Sequence, residues 1–354
     1  MSAGGGERTG TRCRVALALG VAVLVAVALA SLVTGTAALG TLDSLNALGT
    51  LALGGDAGAT ATLVLLGVRA PRVVAGACCG AALACSGLLL QASLDNDLAS
   101  PGVMGVNSGA GLFWLVAALL VPGHPVVRQG MAFVGALVST LLVYLVSRRA
   151  GSSRGTVVLA GVAVSSLMGA GIDAVVTIWP ESVADRVAFT LGGLSGQTFQ
   201  RLALGVPAMA AALAAGVALG RGIDLLALGD ETAHGLGLNV RASRLAAIVC
   251  AAVLAASAVS VCGLLGFVGL IVPNLVRMWA SPGTRPGLAL CAVWGASLLV
   301  ACDLVARTVA FPYELPVGLV LSLLGAPFFI SLLVRRGRGR RSHSVAAARG
   351  GDAR

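Results

Sequence analysis

The chain has 354 residues, 57% of them hydrophobic and only 11% charged, with a mean hydropathy of +0.96 and a formal net charge of +10. Soluble domains carry roughly 25% charged residues, so the composition excludes an ordinary soluble enzyme and reads as a polytopic membrane protein. All 24 basic residues are arginine; without lysine there can be no GxxxxGK[ST] phosphate loop, whose Lys grips the terminal phosphates, so any ATP that drives the protein must be hydrolysed by another subunit.

A bilayer core of about 30 Å takes roughly 20 apolar residues per helix, and backbone facing lipid must satisfy its own hydrogen bonds. Ten stretches meet or approach that length, over about 15–39, 73–91, 103–121, 130–146, 156–178, 202–219, 245–262, 265–278, 288–309 and 317–334. The first exceeds the 7–15 apolar residues of a secretory signal and reads as an uncleaved helix. The eighth is short and glycine-rich. The expected division is a basic tail (1–14), an all-α transmembrane domain (15–334) and an arginine-rich tail (335–354).

Arginines in short loops stay on the cytoplasmic side. With the N-terminus inside, eighteen of the 24 fall on inner segments: Arg8, Arg12, Arg14, Arg148, Arg149, Arg154, Arg221, Arg241, Arg244, Arg277, Arg285 and seven in the tail. Arg69, Arg72, Arg128, Arg186, Arg201 and Arg307 fall on outer segments. Both termini are thus expected in the cytoplasm of a plasma-membrane protein. The tail cluster Arg335–Arg341, beside a last helix, suits anionic headgroups better than nucleic acid.

The eight cysteines lack metal or redox spacing and read as small packing residues. His124, His234 and His343 lie in separate loops or the tail, so no Ser/His/Asp set converges. No catalytic residue, metal site or cofactor is expected.

The segments between helices are more specific. Arg69-Ala-Pro-Arg72 is expected immediately before the second helix, on the outer side, where paired arginines can anchor headgroups or receive carboxylates from a partner. The second helix ends in Ser86-Gly-Leu-Leu-Leu-Gln91, followed by Asp95-Asn96-Asp97-Leu98-Ala99-Ser100-Pro101-Gly102 and Gly105-Val-Asn107-Ser108-Gly109-Ala110. A run so rich in Asn, Asp, Pro and Gly must be buried in protein or line an aqueous path. Between the sixth and seventh helices stands Leu228-Gly229-Asp230-Glu231-Thr232-Ala233-His234-Gly235-Leu236-Gly237, an inner loop with helical propensity. Further on come Gly263-Leu-Leu-Gly266-Phe267-Val268-Gly269-Leu270-Ile-Val-Pro273-Asn274-Leu-Val-Arg277, then Gly295-Ala296, Asp303, Arg307, Glu314-Leu315-Pro316-Val-Gly318 and Gly325-Ala-Pro327-Phe328. Asp303 and Arg307 stand four apart and share a helix face, as a structural clamp or an outer-face site.

These blocks, in register over about residues 60–335, resemble the permeases of iron-siderophore, haem and cobalamin ABC importers, the FecCD type. The family pattern R-x-P-R, G-x-x-x-x-x-S-G-x-x-x-Q and N-P-L-A-x-P-x-x-x-G-x-x-x-G-A is matched with Asp97 in place of Pro. G-x-I-x-F-V-G-L-x-x-P-H-x-x-R is matched with Leu265 in place of Ile and Asn274 in place of His, and L-G-x-x-x-A-x-x-L-G by residues 228–237.

The resemblance implies a type II importer permease with about ten helices, working as a homodimer or with a paralogue. It implies two cytoplasmic ATPase subunits docked on Leu228, Gly229, Glu231, Ala233, Leu236 and Gly237. An extracytoplasmic binding protein would be received by Arg69, Arg72 and Arg307, and inner gates formed by Asn96 and Leu98 and by Ser152 and Ser153. The expected cargo is a ferric siderophore, with haem and cobalamin as alternatives, and the chain itself performs no covalent chemistry. An ion-coupled secondary transporter would instead need an embedded carboxylate, for which Asp173 and Asp303 are the candidates; a receptor or scaffold would not need the inner Asn-Asp-Leu-Ala turn.

Overall fold

The computed structural model describes residues 3–35, 40–150, 154–280, 282–332 and 334; Ser152, Ser153 and the 335–354 tail lie outside them. The elements in chain order are α1 (Ala3–Val33), α2 (Thr41–Ala52), α3 (Ala59–Thr62), α4 (Ala70–Ser93), α5 (Val106–Leu120), α6 (Pro125–Arg149) and α7 (Arg154–Ile178). There follow α8 (Val183–Leu191), α9 (Phe199–Leu226), α10 (Asp230–Gly235), α11 (Val240–Cys262), α12 (Val268–Ala280), α13 (Thr284–Thr308) and α14 (Val317–Leu332). Among the described residues seven helical segments are long and apolar enough to cross a membrane, and the shorter apolar α5, α12 and α14 complete ten, one for each expected stretch. No strand occurs among the described residues.

The second span departs from expectation. It runs unbroken over Ala59–Ser93, 35 residues, through a π-helical segment Leu63–Arg69. Arg69-Ala-Pro-Arg72 therefore lies within helix rather than before it. Pro71 can supply no backbone N–H, and the wide turns immediately precede it, where such bulges relieve the helical ladder. At 1.5 Å per residue the span is about 50 Å long, well beyond a ~30 Å core. The helix was undervalued in sequence because Arg69, Pro71 and Arg72 interrupt the apolar run. Two short helices, α2 and α8, also escape a search for membrane-length stretches.

Burial orders the bundle. In α4 and α11, 72% and 78% of the most apolar window is buried, against 11% in α1 and 22% in α7, so α4 and α11 form the centre and α1 and α7 the rim. Lipid tails are as apolar as leucine, so helices associate through close packing and hydrogen bonds. Small residues supply the closeness: a Cβ placed on Gly80 would strike the carbonyl of Gly295 in α13, and one on Gly295 that of Gly80. Gly87 meets Gly269 of α12 in the same way, and Gly109 meets Gly135 across α5 and α6. Side-chain hydrogen bonds fasten these crossings. Ser86 Oγ donates to the Ala251 carbonyl at 2.6 Å and Gln91 Nε2 to that of Gly269 at 3.0 Å. The Asp224 carboxylate of α9 accepts from both N and Oγ1 of Thr284 at 2.7 and 2.6 Å, holding the start of α13. All eight cysteines are free thiols, five of them fully buried in the packing.

Candidate functional site

One cluster gathers at the Arg69 end of α4. Arg72 lies 21 residues from the opposite end at Ser93, about 32 Å along a helix, or one membrane thickness away. The three arginines singled out in the sequence meet here, but as a buried network rather than an open basic patch: Arg69, Arg72 and Arg307 are 3%, 9% and 4% exposed. Arg69 Nη1 donates to the Leu32 and Val33 carbonyls and to Ser44 Oγ at 2.7–2.9 Å, tying the end of α1 to α2. Arg72 grips Asp303 through Nε at 3.0 Å and Nη2 at 2.9 Å, and reaches Glu314 through Nη1 at 2.9 Å. Arg307 pairs with Asp303 at 3.2 Å and donates to Ser31 and the Thr34 carbonyl. A carboxylate this deep persists only with paired charge and hydrogen bonds; two guanidiniums supply both. Glu314 is the most accessible member, its side chain 31% exposed, and it also accepts from Ser195 Oγ at 3.0 Å.

At the other end of α4 the chain turns sharply. Asp95 adopts φ +45°, the Asn96 side chain accepts from the Leu98 N–H at 3.0 Å, and Asn96 N–H bonds back to the Gln91 carbonyl at 3.0 Å. This is an Asx turn, held against α12 by Asn274 and by an ion pair between Asp97 and Arg277 at 3.1 Å. Gly105, at φ +73°, opens α5 and its carbonyl accepts from Ser139 Oγ at 2.6 Å.

The 228–237 loop sits at this same end. Its helix α10 is bounded by Gly229 at φ +98° and Gly237 at φ +83°, conformations that suit glycine. Leu228 and Leu236 are 59% and 60% exposed, whereas Ala233 is fully buried. A pair of exposed leucines flanking a short helix is an apolar surface; the buried Ala233 is what seats that helix. Glu231 lies in the first turn and is exposed.

The carboxylates an ion-coupled transporter would require are both engaged. Asp173 is largely exposed and paired with Arg186 at 2.9 Å, and Asp303 belongs to the arginine network. A cavity of about 300 Å³ opens beside α5, α7 and α8, lined in part by Asn107, Ser108, Ser165, Arg186 and Thr190. Among the described residues no group of three or more His, Cys, Asp or Glu side chains is placed to hold a metal ion.

The FecCD transport family model matches residues 23–335. The chain belongs to the FecCD transport family. This FecCD permease is 36% identical over 281 residues to the Fe(3+)-citrate import system permease protein YfmD of Bacillus subtilis, covering 79% of this chain and 84% of that one. It is 38% identical over 276 residues to the cobalamin import system permease protein BtuC of Halobacterium salinarum, covering 77% and 74%. Its fold matches a solved inward-facing conformation of a metal-chelate type ABC transporter with a TM-score of 0.78 at 25% identity, over 90% of this chain and 98% of that one. The architecture is that of a type II ABC importer permease.

Two residues of the FecCD permease carry more than the sequence announces. Glu314 is visible in the Glu-Leu-Pro-Val-Gly block, yet only the fold shows that it caps Arg72. Arg244 reads as one more inner-loop arginine, and nothing in its neighbours signals that it spans three elements.

Proposed function

We propose that the chain is the membrane-spanning permease subunit of a binding-protein-dependent importer that moves a ferric siderophore inward by ATP-driven alternating access. It works as a pair, with itself or a paralogue, with two cytoplasmic ATPase subunits and an extracytoplasmic binding protein. The observation that carries this reading is α10: a short, glycine-bounded helix flanked by the exposed Leu228 and Leu236 and tied through Arg244 to Ser93, just before the Asn96–Leu98 turn, so that a subunit seated there is linked to a gate. Both termini are then cytoplasmic, a placement that the arginine distribution supports.

The cavity beside α5, α7 and α8, about 300 Å³, is small for a chelate of many tens of atoms, and in this reading the route runs between two permease subunits. The exposed apolar side chains of α7 and α14, among them Leu159, Leu167, Leu323 and Ile330, leave room for such an interface as well as for lipid. Nucleotide binding draws the ATPase subunits together, moves the α10 segments and exchanges outward for inward access; population shift of two discrete arrangements suffices. Asn96 and Leu98, with Ser152 and Ser153, serve as inner gates.

The binding protein docks at the Arg69, Arg72 and Arg307 end. Since these arginines are buried, a partner's carboxylate reaches Arg72 only as Glu314 gives way, which makes docking an exchange of one acid for another. The cargo assignment rests on the ferric-citrate relative and is tested by reconstituting the permease with its ATPase and binding protein in liposomes. ATP-dependent uptake of iron chelates is expected; uptake of cobalamin or haem with none of ferric chelates would overturn the siderophore reading.

A further inference from the structure

One guanidinium connects the helix expected to receive the ATPase with the helix that ends in the inner turn. Arg244, in the first part of α11, donates through Nη2 and Nη1 to both carboxylate oxygens of Asp230, the first residue of α10, at 2.6 and 3.3 Å. Its Nε donates to the main-chain carbonyl of Ser93, the last residue of α4, at 3.0 Å. Ser93 is 1% exposed, and two residues later the chain enters the left-handed Asp95 and the Asx turn of Asn96. We infer that Arg244 is a positioning residue that transmits displacement of α10 to the inner turn 94–98.

The argument is geometric. The six-residue helix, bounded by Gly229 and Gly237 at positive φ, is seated on the bundle by the buried Ala233, and its hydrogen-bonded link to α4 runs through Arg244. The planar guanidinium offers a rigid fork, so its two bonds to Asp230 and its one bond to Ser93 keep a fixed mutual orientation. A shift of α10 must therefore either break the fork or carry the Ser93 carbonyl with it. Ser93 is the point at which α4 gives way to the turn, so a pull there changes the turn before it disturbs the helix. A lysine could keep the charge but not the geometry. Spatial intermediacy alone does not establish coupling; what is needed is that the turn stops responding when the strut is cut.

This inference rests on the reading of α10 as the ATPase seat, and the experiment separates the two. The complete complex is prepared with Leu98→Cys as reporter in a background lacking the native cysteines, and maleimide labelling is compared in the resting and ATP-trapped states. Arg244→Gln and Asp230→Ala are expected to retain the ATPase subunits within about twofold yet lose at least three quarters of the nucleotide-dependent change in labelling, with uptake per bound ATPase falling about tenfold. Arg244→Lys should be intermediate. A full labelling response in Arg244→Gln would overturn the inference. If that variant fails to assemble, Asp230→Ala decides: it removes the acceptor on α10 and keeps the Ser93 bond, so a normal response there means Arg244 merely braces α4. Separately, Leu228→Glu with Leu236→Glu should release the ATPase; retention of the ATPase in that variant overturns the docking reading itself.

Discussion

Asn274 donates its Nδ2 hydrogen to the main-chain carbonyl of Asp97 at 3.3 Å, while the Asp97 carboxylate meets Arg277, one turn along α12 from Asn274, at 3.1 Å. Positions 97 and 274 are two of the positions at which the chain departs from the family pattern, the conservative Leu265 for Ile being another, and the fold brings these two into one contact. The carbonyl that Asn274 uses would be present in proline too, so that acceptor survives either residue; the aspartate adds a charge for Arg277. The two departures thus concern a single joint between the inner turn and α12.

The joint predicts coupling. Asp97→Pro and Asn274→His, made singly and together, should be non-additive in ATP-dependent uptake by at least ~0.5 kcal/mol, about twofold, as for residues in contact. Additive effects would show that the two positions act independently.

The arginine network separates structure from docking. Arg72→Gln leaves Asp303 with one cation where it had two, and breaking a buried pair typically costs about 3–5 kcal/mol, so the purified permease should lose thermal stability sharply. Glu314→Gln removes only the accessible member and should cost under about 1 kcal/mol. Its affinity for the binding protein, measured at two salt concentrations, should nevertheless change severalfold because the acid that competes for Arg72 is gone. Unchanged affinity would detach Glu314 from docking, and an undiminished melting temperature for Arg72→Gln would deny the network its structural role.

The 228–237 loop predicts two kinds of failure. Leu228→Glu and Leu236→Glu alter exposed side chains and should weaken ATPase co-purification at least tenfold, about 1.4 kcal/mol, with the melting temperature of the permease unaltered. Ala233→Trp should behave differently: Ala233 is fully buried, so the indole must lift α10 from the bundle and lower stability as well as docking. Equal behaviour of the three variants would contradict the placement of Ala233.

The glycine crossings predict sensitivity to a single methyl group. Gly80→Ala brings a Cβ against the Gly295 backbone, where no flexible side chain can yield, and overpacking of this kind costs about 1–3 kcal/mol. Gly49→Ala in α2, with open space around the position, is the matched control and should keep or raise stability, since alanine favours helix over glycine by up to about 1 kcal/mol. Thermal unfolding in detergent distinguishes them, and equal stability of the two variants would refute the close approach.

Ten spans are legible in the sequence because each is an apolar run, seven of them in helices of membrane length among the described residues, a signal that lipid enforces residue by residue. The inner turn and the 228–237 loop are legible for the opposite reason, since Asn, Asp, Pro and Gly in a membrane protein must be accommodated by protein or water. What escapes is pairing across distance. Arg72 and Asp303 are 231 residues apart, and nothing local tells that Arg72 prefers Asp303 and Glu314 to solvent. The continuation of helix through Pro71 escapes too, because it depends on a π-helical segment that sequence periodicity does not mark. Of the candidate site residues, Ala233 illustrates the limit: its place in the loop is readable, but whether it faces a partner or the bundle is decided by packing alone.

The antiparallel pair of α4 and α13 has an arithmetic consequence. Arg72 precedes Gly80 by eight residues and Asp303 follows Gly295 by eight, so the ion pair stands directly above the glycine crossing, about 12 Å along the shared axis. A methyl group added at the crossing would meet backbone and press α4 and α13 apart, so the spacing of a charged cluster about 12 Å away depends on two residues with no side chain.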